Sequence, residues 1–520
     1  MTSTFSKAMS NYTHTENGAL SYEKACCDTY DGRSSLFFKG IRGLNLIKYY
    51  KYLEKSSKES LRDTFILVFH IRDCRGGKSE RCLGREGLTW LFINFPKNFM
   101  KVAKHIPTYG RWDDLLCLFP NVLHLKNIQY VNTNWCCKIN DRKFSIIKKC
   151  QEDIVSIVGR QLMEDINNMN KGEPVSLCAK WCPTENDSLD KRHKVVNILC
   201  KNIRTNPKVY RIRYLSPLRS YINIVEKLIC ENRWRDIDYN KVPGCAMKRL
   251  KVAFMKHTPE EFGKWISDLQ NNKAKVNAKN VLPYEFIREI RKTRNCDAVA
   301  EEQWKVLEQD LKVQGKLKKS VCICDVSGSM TVSNNTVKPI DVAIALSLLI
   351  SNTVDGVFKN HVISFHSTPT FHDIKSKSLY DRFREIASIP WGYNTDFQAV
   401  FDMILERAKQ YKLKQKDMPE KLFVFSDMQF DTAKTGSTNF SVIKDKYSEY
   451  GYDLPQLIFW NLNGNINNFP VTISEENTIM LSGFSQSLLK NVLECKEFTT
   501  KSIIDDIIHS ERYKDIYHLF

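Results

Sequence analysis

Polar residues of the kind that bind a divalent metal ion occur at three places in the C-terminal part of the sequence. Two of these places directly follow short apolar runs, at 321–324 and 422–425, and the third precedes an amphipathic segment. Each place contributes carboxylate or hydroxyl oxygens, which are hard ligands suited to Mg²⁺ or another hard divalent cation. The candidate metal ligands are Asp325, Ser327, Ser329, Thr395 and Asp427.

The alternative is that the same residues have only structural roles. Asp325 is suited to a turn or a helix cap, Thr395 to a helix N-cap and Asp427 to a loop. Asp396 is an alternative ligand to Thr395, although helix capping is its more ordinary role. The sequence contains no Gly-x-Ser-x-Gly, P-loop lysine or His-Glu-x-x-His motif, and no histidine stands beside Ser327 in its motif. We therefore expect a binding protein and not an enzyme; a metal-dependent hydrolase is the weakest alternative.

A second kind of chemistry is indicated by a dense run of positive charge at residues 72–85. Two glycines in this run predict a flexible cationic loop before a helix, where backbone N–H groups can take a phosphate. Arg111 and Trp112 add a charge and a stacking face. The alternatives are a solvated loop with ion pairs to Asp73 and Glu80, and a core position for Trp112. The candidate nucleic-acid-binding residues are Arg72, Arg75, Lys78, Arg81, Arg85, Arg111, Lys180 and Arg219.

Charge is distributed unevenly along the 520 residues. The chain has 78 Lys and Arg against 59 Asp and Glu, a net charge of +19. Residues 321–520 hold 20 basic and 24 acidic side chains, so residues 1–320 hold 58 and 35. This asymmetry points to an anionic partner for the first part, with RNA, DNA or a membrane surface as candidates. Charge that serves only solubility is the alternative.

The predicted secondary structure that must position these residues changes near residue 315, from helices alone to alternating strands and helices. Residues 35–315 have apolar positions at three- and four-residue spacing, which predicts an irregular α-helical repeat of HEAT-like type. Residues 316–520 alternate apolar strands with helices, which predicts a doubly wound parallel sheet with its binding site beyond the carboxyl ends of the strands. Residues 1–34 are predicted to be a disordered tail. Strands are predicted at 321–324, 362–365, 422–425, 456–460 and 478–481, and helices at 61–71, 144–169, 217–228, 260–271 and 297–314.

The sequence also bears on cellular location. It contains no stretch of about 18 apolar residues that would span a membrane, and its polar N-terminus lacks the apolar region of a secretory signal. Seventeen cysteines without such a signal favour free thiols in a reducing compartment. We therefore expect a cytoplasmic protein without a membrane partner.

The motif Asp-x-Ser-x-Ser after an apolar strand, followed by the later Thr and Asp, resembles the metal-ion-dependent adhesion site of the von Willebrand A domain. The resemblance covers residues 320 to about 500. It implies that Ser327, Ser329 and Thr395 hold the metal through their hydroxyls. It implies that Asp325 and Asp427 act largely through water and orient those hydroxyls. It further implies an open metal position that takes a carboxylate from an acidic protein partner, or another anion.

Taken together with motifs in the first part, the sequence resembles an uncharacterised family of plants, fungi and giant DNA viruses over residues 35–500. It departs from the family at Ser79, where glycine is usual, and at Gly244, where serine is usual. The order of a helical part and a von Willebrand A-like part is similar to that of the Ro autoantigen (TROVE module), a ring that binds small structured RNAs and single-stranded RNA ends. The motifs are Arg-Gly-Gly-Lys-x-Glu-Arg at 75–81, Gly-Arg-Trp-Asp-Asp-Leu at 110–115, Ala-Lys-Trp-x-Pro at 179–183, Leu-Ser-Pro-Leu-Arg at 215–219, Tyr-Asn-Lys-Val-Pro at 239–243 and Asp-x-Ser-x-Ser-Met at 325–330.

These observations predict an RNA-binding protein in which the basic helical part contacts RNA. The metal-binding part would brace the helical part or bind a partner. The alternative is a metal-dependent protein-interaction scaffold that binds no nucleic acid.

Overall fold

The computed structural model describes residues 12–25, 31–118, 141–313, 317, 319–332, 337–365, 369–389, 396–431, 438–466 and 468–520. Within these residues a long helical part precedes a six-stranded, mostly parallel sheet that is covered by helices. The predicted fold class, α-helical followed by doubly wound α/β, is confirmed. None of the helices in these ranges is long and apolar enough to cross a bilayer.

The helical part contains the helices α1 to α18. Their bounds are α1 Asp31–Lys39, α2 Leu46–Glu59, α3 Leu61–Arg72, α4 Arg81–Asn94, α5 Pro96–Val102, α6 Ile106–Tyr109, α7 Trp112–Leu116, α8 Asp141–Asn170, α9 Cys178–Trp181, α10 Ser188–His193, α11 Val195–Asn202, α12 Pro207–Tyr210, α13 Ser216–Tyr221, α14 Val225–Cys230, α15 Gly244–His257, α16 Pro259–Gln270, α17 Pro283–Thr293 and α18 Ala298–Val313.

Most predicted helices match these bounds closely, but one is wrong. The helix predicted over residues 217–228 consists of two helices, α13 and α14. The chain between them passes through Asn223, whose φ of 53° is left-handed and interrupts a right-handed helix. Before α13, residues Arg211–Leu215 form a π-helical turn that continues α12.

Residues 12–25 are ordered, so the prediction of a disordered tail over residues 1–34 is wrong for them. This segment forms a small antiparallel hairpin, and Tyr22 exchanges two backbone hydrogen bonds with Phe469, at 2.9 and 2.8 Å. The segment has too few apolar residues to form a core of its own, so its order depends on these distant contacts. The hairpin strands are β1 Tyr12–His14 and β2 Leu20–Tyr22.

The sheet has the strand order β5-β4-β3-β6-β7-β8, and β5 is antiparallel to its neighbour. We did not predict this antiparallel edge strand; the remaining strands are parallel. The strand order reverses between β3 and β6, and ligands of doubly wound sheets bind at the carboxyl ends beside such a point. The strands are β3 Ser320–Asp325, β4 His361–Phe365, β5 Thr370–Asp373, β6 Lys421–Ser426, β7 Gln456–Asn461 and β8 Thr478–Ser482. The helices are α19 Pro339–Thr353, α20 Leu379–Ala387, α21 Phe397–Gln410, α22 Asn439–Glu449, α23 Leu488–Glu494, α24 Thr500–Ile508 and α25 Lys514–Tyr517.

The two faces of the sheet pack into different hydrophobic clusters, because successive side chains of a strand point to opposite faces. In β3, Cys322 and Cys324 belong to the larger cluster, which also contains the core of helices α2 to α4 and α19. Val321 and Ile323 belong to a second cluster with α21 and α22. One continuous core therefore joins the helical part to one face of the sheet.

A third cluster lies within residues 225–306 and forms a separate lobe of the helical part. Its centre is an aromatic group in which Phe262 stacks on Trp265, with ring centroids 5.4 Å apart, and Tyr239 packs on both rings. This lobe faces the first helices across a groove that is described below.

Asp73 joins the C-terminal segment to the helical part through hydrogen bonds. The buried carboxylate of Asp73 accepts hydrogen bonds from Nη2 of Arg512 at 2.6 Å and from the hydroxyl of Tyr513 at 3.0 Å. It also accepts from the backbone N–H groups of Arg75, at 2.8 Å, and Gly76, at 3.1 Å. One side chain thus fixes both the loop after α3 and the end of the chain.

Substituting Asp73 with Ala should lower the free energy of unfolding by about 3–5 kcal/mol, because it leaves Arg512 and two backbone donors without their buried acceptor. Urea unfolding followed by circular dichroism measures this change. The matched control is Asp515→Ala, which removes an exposed carboxylate from the same segment and should cost less than about 0.5 kcal/mol. Similar losses in both variants would contradict the role assigned to Asp73.

Candidate metal and nucleic-acid sites

Asp325 ends β3 and is fully buried at the carboxyl edge of the sheet. Its Oδ2 accepts a hydrogen bond from the Ser426 hydroxyl at 2.6 Å, and its Oδ1 accepts one from the Ser327 backbone N–H at 2.9 Å. The hydroxyls of Ser327 and Ser329 lie 3.0 Å apart in the following turn. The structure therefore brings Asp325, Ser327 and Ser329 together as predicted.

Asp427 follows the neighbouring strand β6 and lies at the same edge, 2% exposed. Its Oδ1 accepts a hydrogen bond from the Gln429 backbone N–H at 3.3 Å, and it is also hydrogen-bonded to the Ser329 side chain. Met428, directly after Asp427, adopts a φ of 65°, a conformation that is uncommon for a non-glycine residue.

The two carboxylates disfavour each other's charge. Burial, and next the charge of Asp427, raise the pKa of Asp325 to about 7. Burial likewise raises the pKa of Asp427, while its hydrogen bond from Ser329 opposes the shift. A divalent cation beside both groups would favour their ionised forms.

These residues fit a hard divalent cation, since all of their side-chain donors are carboxylate or hydroxyl oxygens. Thr395, the remaining predicted ligand, lies outside the described residues. In the described part of the chain no group of three or more His, Cys, Asp or Glu side chains is placed to hold a metal ion. Metal binding at this edge would therefore depend on the serine hydroxyls as well as on the two carboxylates. Asp396 caps α21, accepting a hydrogen bond from the Ala399 N–H at 3.0 Å.

The basic stretch at 72–85 is largely occupied by internal contacts. Nη2 of Arg72 lies 2.7 Å from Oδ2 of Asp114, and Nη2 of Arg85 lies 2.6 Å from Oδ2 of Asp113. The partners suggested by the sequence, Asp73 and Glu80, are engaged elsewhere, with Arg512 and Arg42. Arg72 and Arg85 therefore stabilise the junction of α3, α4 and α7.

Lys78 is fully buried, which removes it from the candidate nucleic-acid contacts. Its ammonium donates to the backbone carbonyls of Phe37 and, at 3.2 Å, Gly40, and to the Ser482 hydroxyl in β8 at 2.9 Å. Burial lowers the pKa of Lys78 to about 7, although Glu80 opposes the shift. Lys78 joins the helical part to the sheet.

Most of the predicted cations, Arg72 included, line a groove between the first helices and the third-cluster lobe. The groove consists of two cavities of about 490 and 1140 Å³, whose linings share Lys180, Trp181, Glu226 and Arg249. We call them the smaller and the larger cavity and their union the basic groove. Arg72, Arg75, Arg81, Arg111 and Lys180 line the smaller cavity, and Lys180 and Arg219 line the larger one.

Aromatic side chains stand among these cations. Trp112 and Trp181 line the smaller cavity, and the Arg111 guanidinium lies 4.6 Å from the centre of the Trp181 ring. Trp112 also packs against the main core, so both of its proposed roles are compatible with its position. Arg219 donates to the carbonyls of Ala179, at 2.9 Å, and Cys182, at 2.7 Å, and so fixes the turn that carries Trp181.

Sequence analysis missed several cations of the basic groove. They come from helices and a turn that are far apart in the sequence. The alternation of basic and apolar residues at 208–213 was the one local sign of them. The missed residues are Lys208, Arg211, Lys227, Arg249 and Lys279.

Two domain families match the chain. Residues 319–515 match the family described as Domain of unknown function (DUF7788), and residues 152–317 match Domain of unknown function (DUF2828). The chain is 28% identical over 523 residues to Uncharacterized protein L728 of Acanthamoeba polyphaga mimivirus, covering 95% of this chain and 87% of that protein. This similarity confirms the expected resemblance to a giant-virus protein. The chain is also similar to the crystal structure of the Ro (RSR) protein of Deinococcus radiodurans, at 16% identity and a TM-score of 0.34, covering 93% and 88% of the two chains.

Lys78→Met should change how stability depends on pH. Because the pKa of Lys78 falls from 10.5 to about 7 on folding, the unfolded chain binds the additional proton between these values. The free energy of unfolding of the wild type should therefore rise relative to that of the variant from pH 7 to pH 10, by up to about 1.4 kcal/mol per unit. Urea unfolding at several pH values measures the difference, and parallel pH profiles would contradict it.

Proposed function

We propose that this protein binds RNA along the basic groove and that it does so without catalysing a reaction. The observation that carries the proposal is the continuity of two cation-lined cavities, the larger of about 1140 Å³, with tryptophan rings in the smaller one and at their junction. Cations track a phosphate backbone and aromatic rings stack on bases, which is the usual combination in single-strand binding.

Charge and backbone geometry support the same proposal. The excess of basic residues lies in residues 1–320, which supply the whole lining of the groove. The π-helical turn at 211–215 projects Arg211 into the larger cavity, and such turns occur frequently at functional sites. An RNA with a single-stranded end fits the Ro-like order of parts that the sequence motifs resemble.

We propose that the sheet part is von Willebrand A-like and holds Mg²⁺ with Ser327, Ser329 and Thr395, while Asp325 and Asp427 orient the hydroxyls. The bound cation would supply an electrophilic position for a carboxylate of an acidic partner, or would brace the edge of the sheet. The pair of buried carboxylates with raised pKa values supports this role, because a cation offsets their repulsion. A scaffold that uses the metal and binds no RNA is the competing function.

Replacing Lys208, Arg211 and Arg249 with Ala should weaken RNA binding by about 10- to 100-fold near physiological salt, since each side chain removed contacts about one phosphate. The measurement is fluorescence anisotropy with a hairpin RNA that carries a single-stranded 3′ tail, titrated at several salt concentrations. The slope of log K against log salt should become shallower by about 2 units, at about 0.7 per single-strand phosphate.

The matched control removes the same charge from the sheet part by Lys416→Ala, Lys490→Ala and Lys496→Ala. These residues are exposed and lie far from the groove in the sequence. If both triple variants weaken RNA binding equally, RNA binding depends on the total charge of the protein and not on a defined site. Full RNA affinity of the groove variant would overturn the proposal and favour the scaffold.

Asp325→Asn should abolish metal binding without lowering the stability of the metal-free protein. Adding Mg²⁺ should raise the Tm of the wild type, by about 1 °C for each kcal/mol of binding in a chain of this length. The variant should show no such rise, yet its metal-free Tm at pH 8 should equal or exceed that of the wild type. The reason is that the pKa of Asp325 rises from 3.8 to about 7 on folding, so its ionisation destabilises the metal-free protein as the pH increases through this range.

Differential scanning fluorimetry with and without Mg²⁺ gives both values. A wild type whose Tm does not respond to Mg²⁺ would contradict the metal site. Partner binding that fails in Asp325→Asn while RNA binding remains would support the scaffold role of the sheet part.

A further inference from the structure

The smaller cavity of the basic groove is lined by a dense group of cations. Among its described lining residues, seven are Lys or Arg and one, Glu226, is acidic. Its volume of about 490 Å³ is within the range of sites that enclose one small ligand. The larger cavity has room for several nucleotides, whereas the smaller one suits a single nucleotide at its end of the groove.

The carboxylates near the smaller cavity neutralise only part of this charge, chiefly by pairing Arg72 with the buried Asp114 at 2.7 Å. Glu226 is shared between Lys180, at 3.7 Å, and Arg249, at 3.0 Å. Asp113 lies 3.4 Å from Arg81 but is held more closely by Arg85, at 2.6 Å. The positive charge of the cavity is therefore left in part uncompensated by the side chains around it.

Three of the cations have no carboxylate partner within the ranges that the structure describes. Arg75 donates to the backbone carbonyl of Thr108 at 2.8 Å, a contact that orients the guanidinium without cancelling its charge. Lys279 is exposed at the mouth of the cavity. Arg111 lies over Trp181, and burial together with Arg81 and Arg72 lowers its pKa against the opposing effect of Asp113. An anion in the cavity would favour the charged form of Arg111.

The positive charge of the smaller cavity indicates which type of RNA phosphate it would bind. A phosphate within an RNA chain carries one negative charge, whereas a terminal phosphomonoester carries about 1.5 to 2 at neutral pH. A monoester also offers three terminal oxygens, which guanidinium groups bind by paired, charge-assisted hydrogen bonds. The monoester is a better match than the diester for the three cations without a carboxylate partner and for Arg81, whose contact with Asp113 is long at 3.4 Å.

We propose that the smaller cavity binds the terminal phosphomonoester of a single-stranded RNA, with the terminal base against Trp181, so that the protein distinguishes phosphorylated from hydroxyl RNA ends. This inference rests on the proposed RNA binding in the groove. Trp181 lies at the junction of the two cavities, where the terminal nucleotide passes from one to the other.

The experiment uses the full chain and three internally labelled 12-nucleotide oligouridylates, with a 5′-phosphate, a 3′-phosphate or hydroxyls at both ends. One phosphorylated form should bind about tenfold more tightly than the hydroxyl form at pH 7.5, the effect of one additional charge-assisted contact. The preference should diminish below pH 6, because the second pKa of a phosphomonoester is about 6. The comparison of the 5′ and 3′ forms identifies the end that is bound.

The variant Arg81→Ala/Lys279→Ala should bring the preferred phosphorylated form to the affinity of the hydroxyl form. Both residues are exposed, so the fold should tolerate the change. The matched variant Lys208→Ala/Arg211→Ala, in the larger cavity, should weaken all three oligomers by a similar factor and preserve the preference. Any other pattern, such as a preference that survives Arg81→Ala/Lys279→Ala, would overturn the inference.

The outcomes separate this inference from the proposed function. Equal, salt-sensitive binding of all three oligomers would overturn the terminal-phosphate site and leave RNA binding in the groove intact. Failure of all three oligomers to bind would overturn both.

Discussion

The structure depends on one hydrophobic core that the helical part and the sheet share. Alternate residues of the strands enter this core, and Cys322 and Cys324 of β3 lie in the same cluster as Phe65 and Trp304 from the helices. The two parts therefore share one core and do not meet as independently folded domains. The sheet and the adjoining helices therefore form a rigid support, and the edge that carries Asp325 keeps a fixed position relative to the helices.

The basic groove arises where this shared core ends. The third cluster, centred on Phe262 and Trp265, is separate from it, and the lining of the smaller cavity comes from both sides of the gap. Charged side chains collect along this gap, where they remain in contact with solvent. Arg219 holds the turn of Trp181 by two carbonyl contacts, so the stacking face between the cavities is positioned by the fold.

Patterns within short segments predicted the fold, whereas contacts between distant segments decided the roles of single residues. Apolar runs identified the parallel strands and placed Asp325 and Asp427 at their ends, because burial on both faces gives parallel strands a continuous apolar sequence. The edge strand β5 has a half-exposed sequence, Thr370–Asp373, that carries no such signal. Lys78 and Arg72 appeared available for RNA because their partners, Ser482 and Asp114, lie elsewhere in the chain.

The contact between Asp73 and Arg512 joins residues that are 439 positions apart, and Lys78 meets Ser482 across 404 positions. During synthesis the helical part therefore emerges from the ribosome long before the groups that complete its buried polar contacts. Until then Asp73 and Lys78 remain solvated and the apolar residues that later pack on the sheet stay exposed. Chains with such distant contacts fold slowly, and their incomplete forms are prone to aggregate.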